Sequence, residues 1–200
     1  MAEKFKNKYR IPSARLNNWD YRWVGVYFIT ICTDNREHYF GEIKNGKMHL
    51  SNLGVIADIF WHDIPVRKPF VKLGEYVIMP NHMHGILIID SQNDEMIEPV
   101  ETLHDVETLH ATSLRKSNET SAPHKNKTMS RRSPKSNSVS TIIRSYKSAV
   151  TRHANRLGIP NGWQMRFYDH IVRDPDAFHR ISNYIKSNVE NWKKDTFYGE

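Results

Sequence analysis

The sequence predicts an α+β protein built on an antiparallel sheet, with helices packed on one face of the sheet. Two observations predict this class: apolar, β-branched runs alternate with segments of helical periodicity, and turn or cap signals separate them. The order of elements is strand, hairpin, helix, two strands, a long polar insert, helix, short strand and helix. This order is compatible with a ferredoxin-like arrangement.

The first half of the chain supplies three strands, a hairpin and a helix. Trp23 to Thr33 is rich in β-branched and aromatic residues, which is typical of a strand. Asn45-Gly46 provides the central residues of a tight hairpin turn, and Ser51 or Asn52 can cap a helix. The predicted elements are a strand over 23–33, a hairpin over 39–51, a helix from 52 to about 61 or 66, and strands over 72–79 and 85–89.

The second half supplies two helices and a short strand. Ser138 or Ser140 can cap a helix that runs to Arg156. Asp174 followed by Pro175 predicts the start of the last helix, because aspartate caps well and proline suits the first helical position. The predicted elements are a helix over 141–156, a short strand or extended segment over 163–172, and a helix from 175 to about 192.

These elements predict a single domain over 23–200, preceded by a basic N-terminal arm over 1–22 and interrupted by an insert over about 91–137. The insert is polar, and the run from Val100 to His104 recurs identically from Val106 to His110. Such a short repeat is typical of duplicated loop sequence rather than of a repeated fold. We expect the insert to be disordered, or to become ordered only on binding.

The net charge of +7 is concentrated in one part of the chain. Residues 111–152 carry ten lysines and arginines and a single acid, Glu119, whereas the rest of the chain has a net charge of −2. A contiguous basic segment indicates a polyanionic partner, most simply nucleic acid. The alternative is a solvated loop without a binding role.

Composition also excludes several classes of protein. The sequence has no run of about 20 apolar residues, so no membrane span is predicted, and the N-terminus lacks the apolar region of a signal peptide. The single cysteine, Cys32, excludes an internal disulfide framework and a thiolate metal cluster, and its neighbours predict a buried thiol. We therefore expect a cytoplasmic, nucleoid-associated protein.

His82 and His84 are the strongest candidates for a metal site. Side chains that are two positions apart in a strand point to the same face. The apolar run Gly85 to Ile89 predicts a buried strand, and Pro80-Asn81 predicts a turn that exposes this end of it. Two adjacent imidazoles form half of a divalent-metal site. A His-x-His pair is more often structural than metallic, so a third ligand and a reactive group are needed.

Tyr184 and Asn188 can supply both. They are four residues apart on the predicted last helix and therefore share a face. An amide oxygen is a neutral, hard ligand that suits Mg²⁺ or Mn²⁺, and a phenol can act as a covalent nucleophile. Packing is the more common role for a tyrosine in an amphipathic helix, and Asn188 alone would be interpreted as a polar residue at a helix end.

Three further residues are alternatives. Tyr146 is a candidate nucleophile because Arg144 and Lys147 flank it. However, neither a carboxamide nor an acid follows Tyr146 four residues on, so we interpret it as a core or base-stacking residue. Tyr168 is expected to pack under the site. His170 could orient a nearby group, but an ordinary core histidine with its hydrogen bonds satisfied is the favoured interpretation.

Three motifs together resemble a known family. The run Met79-Pro-Asn-His-Met-His-Gly85 resembles the His-hydrophobic-His signature of HUH nucleases. More specifically, it resembles the signature of the single-tyrosine transposases of small insertion sequences and of their relatives associated with repetitive extragenic palindromes (REPs). Trp163 to Asp174 is similar to the Trp-Gln-x-x-Tyr-x-x-His-x-Ile-Arg run of the REP-associated branch, and Asn183 to Asn188 is similar to its Tyr-Ile-x-x-Asn helix. The resemblance covers residues 23–192 apart from the insert.

This resemblance implies an HUH endonuclease fold and a transposase-like enzyme that nicks and rejoins single-stranded DNA beside hairpins, through a 5′-phosphotyrosine intermediate. It assigns Tyr184 as the nucleophile and His82, His84 and Asn188 as ligands of Mg²⁺ or Mn²⁺. Insertion-sequence relatives usually have glutamine where Asn188 stands. The enzyme would be a mobile transposase or a domesticated one, and either a monomer or a homodimer.

The implied partner is single-stranded DNA with hairpin or palindromic elements. Basic side chains would bind its phosphates, and aromatic side chains would stack its unpaired bases. The expected DNA-binding residues are Arg131, Arg132, Lys135, Arg144, Lys147, Arg152, Trp163 and Arg166.

Two other functions remain open. The first is a non-catalytic nucleic-acid-binding protein in which the histidines are incidental. The second is a metal hydrolase that uses an activated water and forms no covalent adduct. A hydrolase would require an acidic ligand near the histidines, and the sequence indicates none there.

Overall fold

The computed structural model describes residues 19–90 and 135–198, together with two short strands of the N-terminal arm. Most of the predicted insert, including its five-residue repeat, lies outside the described residues, as do Arg131 and Arg132. The strands are β1 Lys4–Phe5, β2 Lys8–Tyr9, β3 Gly25–Cys32, β4 Gly41–Lys44, β5 Lys47–Leu50, β6 Val71–Ile78, β7 His82–Ile89 and β8 Tyr168–Val172. The helices are α1 Asn52–His62, α2 Ile64–Arg67, α3 Val139–Arg156 and α4 Pro175–Ser187.

A four-stranded antiparallel sheet forms the centre of the fold, with the strand order β6-β7-β3-β8. The two central strands pair along their whole length, from Gly25 opposite Ile89 to Cys32 opposite His82. This strand order, with α1 and α3 in the two connections, is the ferredoxin-like arrangement that the sequence predicts. Two smaller antiparallel pairs, β1 with β2 and β4 with β5, lie outside this sheet.

The helix starts follow the predicted caps. The Ser51 hydroxyl accepts a hydrogen bond from the Gly54 N–H at 3.1 Å, and the Asp174 carboxylate accepts one from the Ala177 N–H at 2.7 Å. Ser138, one of two predicted caps, forms a reciprocal capping box with Thr141. These local hydrogen bonds replace partners that a first helical turn lacks, and this is why the helix starts were predictable.

The last helix ends earlier than its predicted end near Trp192. It stops at Ser187, and a separate 3₁₀ turn spans Trp192–Lys194. Asn191 donates from its side chain to the Ser187 carbonyl at 3.0 Å, and the Ser187 hydroxyl donates to the Tyr184 carbonyl at 3.3 Å. Side chains thus satisfy the final carbonyls, so the backbone is free to leave the helix.

The main core lies on one face of the sheet, under α1 and α3. Trp61 of α1 is fully buried against Gly85 of β7, and a Cβ at Gly85 would lie 2.4 Å from the Trp61 ring. Tyr146 of α3 is also buried, and its hydroxyl donates to the Ala57 carbonyl at 3.1 Å. Tyr146 is therefore a core residue, which is one of its two predicted roles, and Cys32 is buried as predicted.

The helices cover both faces of the sheet, which corrects the prediction of helices on one face. The α+β class and the antiparallel sheet are confirmed, and α1 and α3 do share a face. However, α4 places Tyr184 on the opposite face, against His84 and Phe28. The reason is that β7 alternates imidazole and apolar side chains and is buried on both faces, so each face needs a cover. Among the described helices, none is both long enough and apolar enough to cross a membrane.

Candidate metal centre and nucleophile

The two candidate histidines are the first and third residues of β7 and are both buried. They therefore lie inside the strand rather than before it. His84 pairs with Thr30 and His82 with Cys32 of β3, and the Met79 N–H donates to the His82 carbonyl at 2.8 Å to close the predicted turn. Because side chains alternate along a strand, both imidazoles point to the face that α4 covers. The ring centroids are 4.6 Å apart.

Hydrogen bonds at Nδ1 orient both rings. The Asn81 side-chain oxygen lies 2.9 Å from His82 Nδ1, while the Asn81 amide nitrogen donates to the Phe197 carbonyl at 2.8 Å. An amide oxygen only accepts, so His82 carries its proton on Nδ1 and has a free lone pair on Nε2. His84 Nδ1 lies 2.8 Å from the Thr30 hydroxyl in the same way. Partners of this kind fix the rings of metal-binding histidines.

Both imidazoles are neutral at pH 7. Burial lowers the pKa of His82 to about 2, with smaller contributions from the neighbouring His84 and Arg36. Burial also lowers the pKa of His84 to about 4, against the opposing effect of the Asp195 carboxylate. Neutral imidazole is the form that binds metals, so the site offers two nitrogen donors without the need to remove protons.

Tyr184 lies beside this pair, although it is 100 residues away in sequence. Its hydroxyl is 3.1 Å from His84 Nε2, and the side chain of Asn188 also hydrogen-bonds to it. Partial burial raises the pKa of the Tyr184 phenol, as does the Asp195 carboxylate, whereas the hydrogen bond from Asn188 lowers it. The structure thus brings together four predicted site residues, whose roles remain predictions.

Asp195 is a site residue that sequence reasoning missed. Its carboxylate Oδ2 lies 3.9 Å from His82 Nε2, and the donor atoms of His82, His84 and Asp195 all lie within 4.8 Å of one another. The interpretation that no acid lies near the histidines is therefore wrong. Asp195 follows the last helix in an irregular segment, where no periodicity assigns a direction to a side chain, so the sequence carried no signal for it.

The C-terminal segment, residues 192–198, packs against the histidines. The Phe197 ring lies 4.5 Å from the His82 ring and the Trp192 ring lies 5.9 Å from it. Arg36 donates to the Thr196 carbonyl at 3.1 Å and stacks over Phe197 at 5.6 Å. These contacts exclude water from His82, which explains the large effect of burial on its pKa.

The donor set fits a divalent cation. Among the described residues, His82 Nε2 and Asn188 Oδ1 are buried and have no hydrogen-bond partner, a costly condition that a cation would relieve. Two imidazole nitrogens, an amide oxygen and the Asp195 carboxylate form a mixed nitrogen and oxygen set. Such a set suits Mn²⁺ well and Mg²⁺ less well, because Mg²⁺ prefers oxygen alone.

An aromatic surface adjoins the nucleophile. The Phe28 ring stacks on His84 at 5.3 Å and has Tyr184 and Tyr168 at its edges, at 6.3 and 6.4 Å. Tyr168 is 52% exposed, so the expectation that it packs under the site is wrong. His170 is also exposed rather than part of the core. Both residues lie on β8, which is an edge strand of the sheet and pairs with a neighbouring strand, β3, along one edge only.

The predicted DNA-binding residues differ in their surroundings. Lys147 donates to the carbonyls of Gln164 and Arg166 at 2.7 and 3.3 Å, and burial lowers its pKa to about 8. Trp163 donates from its indole to the Thr151 hydroxyl at 3.1 Å and packs against the core. Lys135 forms an ion pair with Asp20 at 2.8 Å. These three side chains therefore make contacts within the protein itself.

The remaining described arginines of this set, Arg144, Arg152 and Arg166, are exposed. Exposed guanidinium groups are the ordinary ligands of phosphate oxygens. None of the described contacts tests whether any of the predicted residues touches DNA, so that role stays a prediction.

The fold and the buried His-x-His pair beside a tyrosine define a protein of the transposase-like HUH fold. The chain superimposes on a REP-associated tyrosine transposase solved bound to a REP hairpin, with a TM-score of 0.53, 16% identity, and coverage of 92% of this chain and 74% of that one. A second structure is that of a candidate transposase from Deinococcus radiodurans. The match covers 89% of this chain and 96% of that one at 11% identity, and its TM-score of 0.41 is too low to support an inference.

The chain belongs to the same family as an uncharacterized protein of Haemophilus influenzae. The two are 37% identical over 188 residues, which is 93% of this chain and 92% of the relative. No protein-family model matches the chain. The similarity to the solved transposase establishes the fold, and the relative matches this chain over nearly the whole length of both.

Proposed function

We propose that the protein is a metal-dependent, transposase-like enzyme that cleaves and rejoins single-stranded DNA through Tyr184. The observation that carries this proposal is the position of the Tyr184 hydroxyl, 3.1 Å from Nε2 of a buried, neutral histidine. The neighbouring imidazole, that of His82, is also buried, and its Nε2 has no hydrogen-bond partner among the described residues. The partial exposure of Tyr184, at 43%, leaves its ring accessible to a bound strand.

The reaction is a transesterification at phosphorus. The Tyr184 oxygen attacks the scissile phosphate, the phenolic proton is lost, and the 3′ oxygen leaves with a proton as a free 3′-hydroxyl. The product is a phosphodiester between Tyr184 and the 5′ end of the other fragment. Because this bond retains the phosphodiester linkage, a 3′-hydroxyl can attack it and rejoin strands without ATP.

The chain provides positioning as well as the nucleophile. The side chain of Asn188, which directly follows α4, hydrogen-bonds to the Tyr184 hydroxyl, and Thr30 and Asn81 hold the two imidazoles from their Nδ1 sides. A bound Mg²⁺ or Mn²⁺, held by His82, His84 and oxygen donors from Asn188 or Asp195, would stabilise the negative charge that develops on the phosphate. Rings fixed in this way need little rearrangement during the reaction.

The proposed substrate is single-stranded DNA beside a hairpin. The solved structure with this fold is described as bound to a REP hairpin, which supports a hairpin-bearing partner for this chain. The exposed Tyr168 ring next to Phe28 is a surface on which an unpaired base can stack. A base inside a duplex could not reach this surface, so the geometry favours a single strand at the cleavage point.

Adduct formation tests the proposal. The protein is incubated with Mn²⁺ and a 5′-labelled and a 3′-labelled hairpin oligonucleotide carrying single-stranded flanks, and SDS-stable adducts are separated by electrophoresis. We expect only the 3′-labelled fragment to become attached. Tyr184→Phe should abolish the adduct, and His82→Ala should abolish cleavage while much of the DNA binding persists. Tyr198→Phe, which changes another exposed tyrosine, is the matched control. An adduct formed by Tyr184→Phe would show that the nucleophile is misassigned.

A metal hydrolase is the second candidate, and Asp195 favours it. A carboxylate near two histidines is the donor set from which hydrolases activate a water. The same experiment separates the two functions, because a hydrolase cleaves both oligonucleotides without protein attachment and retains activity in Tyr184→Phe.

A further inference from the structure

Arg36 lies at the same end of the central sheet as the histidine pair. It follows β3, whose last residue, Cys32, pairs with His82. Its guanidinium carbon lies 5.6 Å from the centroid of the Phe197 ring, and that centroid lies 4.5 Å from the centroid of the His82 ring. The Arg36 charge is therefore at most about 10 Å from a candidate metal ligand.

The backbone at Arg36 is strained. Asn35 and Arg36 have φ values of 50° and 57°, in the left-handed region that favours glycine. Asparagine adopts this conformation more readily than most residues, but arginine has no such preference. Strain of this kind persists only where the surrounding structure enforces it, and it concentrates at functional sites. The turn thus holds an arginine, where a glycine would fit more easily, beside the candidate metal centre.

The described contacts of Arg36 leave most of its hydrogen-bonding capacity unused. One N–H donates to the Thr196 carbonyl at 3.1 Å, whereas a guanidinium carries five N–H donors. Arg36 is exposed, and among the described residues it forms no ion pair, although Asp34 and Glu37 lie close to it in sequence. A guanidinium without a carboxylate partner can bind a phosphate group through two parallel N–H bonds.

A row of rings leads from the exposed Tyr168 to Arg36. Consecutive ring centroids lie 4.5 to 6.4 Å apart in the order Tyr168, Phe28, His84, His82 and Phe197. The histidine pair is in the middle of this row, and Arg36 stacks over its last ring. A strand that stacks a base on Tyr168 and brings a phosphate to the histidines is therefore directed toward Arg36.

We propose that Arg36 binds a phosphate group of the single strand close to the scissile phosphate, and so holds the strand at Tyr184. The inference rests on the proposed function, since it assigns a further contact to the same substrate at the same site. The Thr196 carbonyl occupies one N–H of Arg36, so the remaining donors can bind a phosphate while Thr196 stays in place.

The experiment measures DNA binding in EDTA, so that it does not depend on catalysis. Fluorescence anisotropy gives the Kd of the hairpin oligonucleotide with single-stranded flanks, and of the same hairpin without flanks, between 50 and 200 mM salt. The variant is Arg36→Gly, which removes the guanidinium and suits the backbone, because glycine adopts a φ of 57° freely.

Arg173→Ala is the matched control. Arg173 is exposed and directly follows β8, whose last residue, Val172, pairs with Val26 near the start of β3. It therefore lies at the opposite end of the sheet from Arg36, and its removal changes the net charge by the same amount.

Arg36→Gly should bind the flanked hairpin about tenfold more weakly at 100 mM salt, because a hydrogen bond between charged groups is lost. Its slope of log Kd against log salt should fall by about 0.7, the value for one phosphate of a single strand. The hairpin without flanks should bind equally to both proteins, and Arg173→Ala should resemble the wild type. An unchanged slope in Arg36→Gly would overturn the proposal. An equal weakening with the unflanked hairpin, or in Arg173→Ala, would also overturn it, because either result would indicate general attraction between charges.

A scan with methylphosphonates, which carry no charge, locates the phosphate that Arg36 binds. Each phosphate of the flanks is replaced in turn, and Kd is measured for the wild type and for Arg36→Gly. One replacement should weaken binding to the wild type about as much as the loss of Arg36 does, and should have no further effect in Arg36→Gly.

A purely structural role for Arg36 predicts a different result. If Arg36 acts only by holding the C-terminal segment, every replacement will have the same effect in both proteins, and the proposal fails. Failure of the proposed catalysis would appear elsewhere, as the absence of a covalent adduct while the Arg36-dependent binding is intact.

Discussion

The Tyr184 hydroxyl and His84 Nε2 lie 3.1 Å apart, within hydrogen-bond distance of each other. The Thr30 hydroxyl occupies the other ring nitrogen of His84. In the tautomer that binds metals, His84 donates its Nδ1 proton to the Thr30 hydroxyl and keeps a lone pair on Nε2, so the phenol then lies at the lone pair that a cation would need. In the absence of a cation the phenol holds the imidazole, and the binding of a cation requires the phenol to move away from Nε2.

This competition predicts that Tyr184→Phe binds Mn²⁺ more tightly than the wild type. A hydrogen bond contributes about 0.5 to 1.5 kcal/mol net, so we expect the dissociation constant to fall by about two- to tenfold. Isothermal titration calorimetry at pH 7.5 measures the effect. Tyr168→Phe is the control, because that hydroxyl belongs to an exposed tyrosine that is not a neighbour of Nε2. Weaker Mn²⁺ binding in Tyr184→Phe would instead show that the phenol is itself a ligand.

Thr30 is predicted to matter for metal affinity although it would not touch the metal. Thr30→Val keeps the shape of the side chain but removes the partner of His84 Nδ1, which lies 2.8 Å away. Loss of such a partner typically weakens metal binding by about 10- to 100-fold. Thr30→Ser, which retains the hydroxyl, should restore most of the affinity. Equal Mn²⁺ affinities for the valine and serine variants would rule out this orienting role.

The two histidines make stability depend on pH in the metal-free protein. Their folded pKa values of about 2 for His82 and about 4 for His84 lie below the ordinary value of 6.5. Below pH 6.5 the unfolded chain binds protons that the folded chain does not, so stability is lost as the pH falls below 6.5, down to about pH 4 for His84 and about pH 2 for His82. At pH 5 the loss is about 2 kcal/mol for each histidine.

Urea unfolding in EDTA at pH 7.5, 6 and 5 tests this dependence. The free energy of unfolding should decrease at each step, and His84→Gln should show a shallower decrease because one of the two titrating groups is gone. A free energy of unfolding that stays constant from pH 7.5 to 5 would contradict the assignment of both rings as buried and neutral.

Tyr168 is predicted to bind an unpaired base. Base stacking on an aromatic ring contributes about 1 to 3 kcal/mol, so Tyr168→Ala should weaken binding of a single-stranded oligonucleotide by about 5- to 150-fold, whereas Tyr168→Phe should bind normally. Quenching of 2-aminopurine placed along the oligonucleotide locates the stacked position. If alanine and phenylalanine variants bind equally well, the ring does not stack.

Gly85 is predicted to tolerate no side chain, because Trp61 occupies the space. A Cβ at Gly85 would lie 2.4 Å from the Trp61 ring, so Gly85→Ala should lower the free energy of unfolding by about 1 to 3 kcal/mol. Gly25→Ala is the matched control, since its new Cβ would meet its nearest neighbour at 3.6 Å, an ordinary contact. Urea denaturation compares the two. Similar stabilities of the two variants would mean that Trp61 can move aside.

The sequence by itself determined the local elements, and it predicted four side chains that the structure brings together: His82, His84, Tyr184 and Asn188. Caps at Ser51, Ser138 and Asp174 and the Asn45-Gly46 turn act through contacts within a few residues, so the sequence specifies them directly. The spacing of His82 and His84 placed both on one face for the same reason, because alternation in a strand is a local property.

Only the tertiary structure decided what meets these elements. Three features join residues that are distant in the chain: the packing of α4 on the second face of the sheet, the approach of Asp195 to His82, and the internal contacts of Lys147 and Trp163. The exposure of Tyr168 likewise depends on which elements cover β8. Such contacts depend on which surfaces remain uncovered after the sheet forms, and a short sequence pattern does not predict which surfaces these are. An acid in an irregular segment can therefore lie at a buried histidine pair without leaving any periodic signal in the sequence.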